Sequence, residues 1–156
     1  MLTNNFLHSL SNARGIGANN LISTKQTNGN EGVTLSFGTD TNYFCSSTLW
    51  SKYSKFIIGS GTTKPKMTDY CLENKITESY DCSILDRRCV IGEEMSYLKI
   101  TGNITNTGTE DLSFSEIGWV IASGAALQEF MLAREVYDTP ITIAPGESVA
   151  VNVNII

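Results

Sequence analysis

Apolar and polar positions alternate with a period of two through most of this chain, which predicts strands rather than helices. Val33, Leu35 and Phe37 alternate with polar neighbours, and Gly38–Asn42 follows as a turn. Leu49 and Trp50 lead into an apolar strand at Phe56-Ile57-Ile58, closed by Gly59-Ser60-Gly61. Pro65 makes residues 59–70 an ordered loop rather than a helix or central strand. Residues 76–92 read as two strands around Asp86-Arg87-Arg88, with Cys89-Val90-Ile91 on the return. From Met95 to Ile104, Leu98, Ile100 and Ile104 share a face, and Gly102 marks a bulge or a close approach. Asn106–Asp111 is a turn. Leu112 and Phe114 occupy even positions, whereas Ile117, Trp119 and Ile121 are odd, so a bulge or bend is needed at Ser115-Glu116. Ser123–Ala126 is a second turn. Phe130–Val136 suits a helix on propensity, but its shortness and the alternation of Phe130, Leu132, Arg134 and Val136 predict a strand. Pro140–Ile143, the turn Ala144-Pro145-Gly146-Glu147 and Val149–Ile155 predict a final hairpin.

Strands recurring every 8–12 residues or so, separated by turn chemistry, predict an all-β fold: an antiparallel β-sandwich, Ig-like or jelly-roll-like, over residues 33–156. Residues 1–32 differ. Phe6, Leu7 and Leu10 line one side of a single helical turn, but the Gly/Asn-rich stretches after them hold too few apolar residues for a core. This segment reads as an extended N-terminal arm that orders against neighbouring subunits. Phe6, Leu7 and Leu10 of the arm, with Trp50 and Tyr53 beyond it, are the candidate interface residues, in a homo-oligomer for which a trimer is one option.

Composition agrees with a β protein. Ser, Thr and Asn supply 46 of 156 residues (16, 17 and 13), while charged residues are only 17%. The net charge of −5 argues against a nucleic-acid partner, which needs a basic stripe to displace counterions. There is no run of eighteen apolar residues and hence no expected membrane helix. Met1–His8 has no basic region followed by an apolar one, so synthesis in the cytosol is expected. In that compartment Cys45, Cys71, Cys82 and Cys89, whose spacing matches no zinc pattern, are expected as free thiols, with a disulfide or a metal site as the alternatives.

Candidate chemistry is sparse. His8, the only histidine, lies in the arm, a poor platform for a nucleophile–base pair. Glu93-Glu94 are adjacent and would point to opposite faces of a strand. Asp69, Glu73, Glu116, Glu135 and Asp138 have no metal-ligand spacing, and Gly59-Ser60-Gly61-Thr62-Thr63 lacks the ending of a phosphate loop. No catalytic group, cofactor or metal is expected. Glu116 and Arg134 stand out because both sit inside apolar strand segments. They are expected either to meet across strands or a subunit interface, within about 6 Å, or to be separately solvated.

The run Phe56–Glu73, with Gly59, Gly61, Pro65, Asp69, Tyr70, Leu72 and Glu73 in order, resembles a signature of small virion-associated proteins of tailed bacteriophages, frequent in gut phages including crAss-like ones. Ile104–Gly108, Glu116-Ile117-Gly118, Leu132–Val136 and Thr139–Val149 are similar to the C-terminal half of that family, and Met1–Phe6 to its usual start. Cys82 and Cys89 around Asp86-Arg87-Arg88 depart from it. The resemblance implies a non-enzymatic sandwich that is a structural component of the virion. Its expected role is an accessory capsid protein (decoration or head fibre) bound to other virion proteins through the arm. The alternatives are a tail or neck component, or an adhesion module that meets a host-surface ligand through Tyr43, Trp50 and Tyr70.

Overall fold

The computed structural model describes residues 1, 3, 25–30, 54–91, 96–123 and 128–155. Among these residues six strands follow one another: β1 (Ser54–Gly59), β2 (Tyr80–Ile91), β3 (Ser96–Asn106), β4 (Leu112–Ser123), β5 (Gln128–Ile143) and β6 (Ser148–Ile155). They form two antiparallel three-stranded sheets, β1-β4-β5 and β2-β3-β6. β2 to β3 and β4 to β5 are connections within a sheet, whereas the chain changes sheet after β1, β3 and β5. The all-β sandwich read from the periodicity is the observed architecture.

The inner faces carry the alternating apolar residues. Phe56, Ile58, Ile117, Trp119, Ile121, Phe130 and Leu132 of the first sheet pack on Ile100, Ile104, Val151 and Val153 of the second. Each such side chain contributes about 1.5–3 kcal/mol by leaving water. Gly102 gives the close approach that its position suggests: a Cβ there would run into the Phe56 ring at 2.7 Å. The phase change at Ser115 is a register step, from Phe114 opposite Ile141 to Glu116 opposite Val136.

The two sheets differ in their outer faces. On the second sheet the Thr101 hydroxyl donates to Asn152 and Thr105 bonds Ser148, so that face is polar and wet. On the first sheet Ile57, Val120 and Met131 form a second buried apolar cluster with Leu72 from the loop after β1. The first sheet is therefore covered on both sides.

Two expectations need correction. Residues 80–91 form one strand, not two around Asp86-Arg87-Arg88. That triplet has no Gly, Asn or Pro to turn the chain, and β2 is an edge of its sheet, where charged residues are tolerated. The irregularity is a bulge that leaves Leu85 unpaired and 61% exposed. The final hairpin is also absent. Pro140–Ile143 ends β5, with Ile141–Ile143 paired to Leu112–Phe114, whereas β6 pairs with β3 in the other sheet. Ala144–Glu147 is a type II turn, with Gly146 at φ 77° and the Glu147 N–H donating to the Ala144 carbonyl. It bridges the layers because Asn106 holds both sides: its side-chain amide donates to the Ile143 and Glu110 carbonyls, and its own N–H donates to the Glu147 carbonyl.

Candidate functional site

One residue out of step in β5 creates the most charged part of the interior among the described residues. Phe130 lies opposite Ile121 and Met131 opposite Val120, but the residue opposite Trp119 is Ala133. Leu132 is the extra residue of a bulge, and both it and Ala133 belong to the core between the sheets. Arg134 therefore shares the outer face with Met131, opposite Gly118. Simple alternation groups Arg134 with Phe130 and Leu132, which would put a guanidinium in the apolar core; the bulge corrects that phase.

On the outer face Arg134 meets Glu116. The Arg134 Nε–H donates to Glu116 Oε2 at 2.9 Å, and Nη2 lies 2.7 Å from the same oxygen but out of line for a hydrogen bond. Glu116 is 0% and Arg134 3% exposed. Of the two arrangements left open by the sequence, a cross-strand meeting and separate solvation, the first is the observed one. Asp69 is a second partner, accepting from Arg134 Nη1 at 2.9 Å, and Glu73 Oε2 lies 3.6 Å from Nη2. Burial opposes the charge of Arg134, but the hydrogen bonds to Asp69 and Glu116 outweigh it and hold the guanidinium above its usual pKa.

Glu116 also organises the loop after β1. Its Oε1 accepts the N–H groups of Gly61 (3.0 Å) and Asn74 (2.9 Å), and Oε2 that of Glu73 (3.2 Å). With Arg134, four donors converge on one carboxylate, the complement that makes a buried charge tolerable. The approach is so close that Gly59 and Gly61 have no room for a side chain: a Cβ on Gly61 would stand 2.6 Å from Glu116 Oε1, and one on Gly59 would collide with the same atom. Further out, Glu73 accepts from the N–H groups of Thr62 and Thr63, and Asp69 from that of Lys66. The Thr63 bonds come first among the causes that hold the Glu73 carboxyl below its usual range. Ser115, at the register step, donates to the Gly61 carbonyl at 2.9 Å. The run Phe56–Glu73 thus has a physical reading, with Gly59, Gly61, Asp69, Leu72 and Glu73 as the residues that fasten this loop to the sheet.

The described N-terminal residues lie against the same sheet. The Met1 carbonyl accepts the Arg134 N–H at 3.0 Å, and the Met1 amino group donates to the Arg134 carbonyl at 2.7 Å. Thr3 donates its N–H to the Leu132 carbonyl and its hydroxyl to the Met131 carbonyl, 1% exposed and seated on the bulge. The Thr27 N–H donates to the Glu129 carbonyl, Gln26 is buried, and the Lys25 ammonium sits 4.0 Å above the Tyr70 ring. These residues lengthen the first sheet beyond β5 within their own chain. Tyr70, a candidate for an exposed ligand-binding aromatic, is half-buried, with Lys25 over its ring.

Phe6, Leu7, Leu10, Trp50, Tyr53, Tyr43, His8 and Cys45 lie outside the described residues, as does the Cys89 side chain. Cys71 and Cys82 are free thiols; burial pushes both up, and the Cys82 thiol donates to the Phe56 carbonyl at 3.2 Å. Raised thiols react slowly. Among the described residues no group of three or more His, Cys, Asp or Glu side chains is placed to hold a metal ion. Sequence reading missed Thr3, Asn106, and the link from Asp69 and Glu73 to Arg134. Compared with protein-family models, curated proteins and solved structures, the chain matches none.

Proposed function

We propose that this chain is a non-enzymatic structural component of a tailed bacteriophage particle, an accessory capsid protein that docks through its N-terminal segment on other virion proteins. The observation that supports this reading most is the commitment of the Glu116 carboxylate. All four of its hydrogen-bond donors belong to the fold, and Arg134 and Asp69 are engaged with each other as well. A general acid or base must be free to exchange a proton with a substrate. This cluster, the densest in chemistry-bearing groups among the described residues, instead fastens a twenty-residue loop (60–79) to a sheet, as a protein that presents a surface requires. The resemblance of that loop to virion-associated proteins points the same way.

The test is to purify intact particles and quantify the chain by mass spectrometry against the major capsid protein. A stoichiometric, salt-resistant copy number is expected, and absence from washed particles would remove the proposal. An adhesion role is the second reading. It draws on an open cleft of about 460 Å³ between Lys75–Ser79 and Gly108–Leu112. Retention of host cells by the immobilised domain, lost on Thr109→Trp, would favour it.

A further inference from the structure

The loop between β1 and β2 engages its carboxylates within the fold and leaves two of its lysines outside. Asp69 accepts from Arg134 and from the Lys66 N–H, and Glu73 from the N–H groups of Thr62 and Thr63. Lys64 and Lys66 are exposed, and neither ammonium forms an ion pair with a described residue. Beside them Met67 is 47% exposed. Residues 62–68 are thus a cationic tip with an apolar residue, on a chain whose net charge is −5. The bonds at the base of the tip restrict it, which lowers the ordering cost of docking. Unpaired charge of the other sign gathers at the cleft of about 460 Å³ between residues 75–79 and 108–112. Glu78, Glu110 and Asp111 line it, all exposed and none in an ion pair with a described residue. The Lys75 ammonium on the same wall lies 3.8 Å from Glu129. Ile76 and Leu112 add apolar surface, and the volume falls within the roughly 300–1,000 Å³ of binding clefts. Tip and cleft do not meet within one chain, because residues 69–74 between them are fastened to Arg134 and Glu116.

We infer that the lysine tip of one copy docks in the acidic cleft of a second copy of this chain. Charge complementarity identifies the occupant: two unpaired ammonium groups meet three unpaired carboxylates, an arrangement that steers encounter and fixes register. Met67 meets the apolar part formed by Ile76 and Leu112. The two surfaces differ, so the contact is heterologous, and successive copies close into a ring or continue as a filament. The inference deepens the proposed structural role by naming a contact between copies; it rests on assembly, not on the particle itself.

Light scattering across a range of concentrations tests it on three forms of the full chain. These are the wild type, a tip variant (Lys64→Glu with Lys66→Glu), and a cleft variant (Glu78→Gln, Glu110→Gln and Asp111→Asn). All five side chains are exposed, so the urea midpoints should stay near that of the wild type. The wild type is expected to gain mass with concentration, and each variant alone to remain a monomer. An equal mixture of the two variants decides. One keeps a native cleft and the other a native tip, so the mixture should reach twice the monomer mass and stop there. A wild type that stays monomeric throughout leaves the tip to an acidic partner of another kind and overturns the inference. Either variant with the wild-type mass, or a mixture no heavier than its components, overturns it as well. Should the cleft variant fail to fold, Thr109→Trp, which fills the cleft and keeps its charges, takes its place with the same outcomes; Lys64→Ala with Lys66→Ala does so for the tip. Absence of the chain from phage particles would sink the virion reading alone and leave these outcomes untouched.

Discussion

Replacing Glu116 with Gln keeps the shape of the side chain and removes its charge. Glu116 Oε1 accepts from Gly61 and Asn74, and Oε2 from Glu73 and Arg134. A glutamine keeps one of these pairs; at the other, its NH₂ faces two donors. In either orientation the buried Arg134 loses the charge of Glu116 and keeps Asp69 as its nearest charged partner. Breaking one partner of a buried pair costs about 3–5 kcal/mol, a large share of the roughly 5–15 kcal/mol that a domain of this kind holds in reserve. Urea denaturation measures the loss as a lower midpoint at unchanged slope. Glu116→Gln combined with Arg134→Met should be less damaging than the two single changes added together, because the double variant buries no orphaned charge. Hydrogen exchange locates the effect: the amides of Gly61, Glu73 and Asn74 should lose protection in the variant. The reasoning fails if Glu116→Gln lies within about 0.5 kcal/mol of wild type, if the two substitutions simply add, or if those three amides stay protected.

Three further outcomes follow from the same contacts. Gly61→Ala places a methyl against Glu116 Oε1 and the Glu73 side chain, so a loss of about 1–3 kcal/mol by urea midpoint is expected; Gly146→Ala, strained by φ alone, should cost less. Asn106→Ala strands the Ile143 and Glu110 carbonyls and should cost about 2–4 kcal/mol, with the exchange of Gly108 accelerated. The Glu73 carboxyl is held below its usual range, so its contribution is complete above the unfolded carboxylate value of about 4.3. It is lost as pH falls through the lower folded value. Amide exchange at Thr62 and Thr63 should therefore rise in acid, and Glu73→Gln should flatten that dependence.

The sandwich, its central strands and the need for a phase change at Ser115 were legible along the chain, because one buried face per strand writes a period of two into the sequence. Glu116 and Arg134 were legible as the residues to watch for a related reason: charges inside apolar strands need either a partner or water, and only the structure shows that they have each other. What the alternation could not show is how the strands sort into layers. β6 and the end of β5 look like a hairpin because a Pro-Gly turn joins them, yet that turn serves a change of sheet equally well; the bonds of Asn106, remote in sequence, decide between the two. The triplet Asp86-Arg87-Arg88 looks like a turn only until its strand is known to be an edge. The bulge at Leu132 was hidden for the same cause. An extra residue in β5 exists only relative to the register of β4, and that register is set by packing Trp119, Ile121 and Phe130 across the sheet. Local chemistry thus determined which residues must be buried or paired, while only the assembled tertiary structure determined on which face Arg134 emerges and which loop it fastens, because register and layer order are properties of contacts between distant segments.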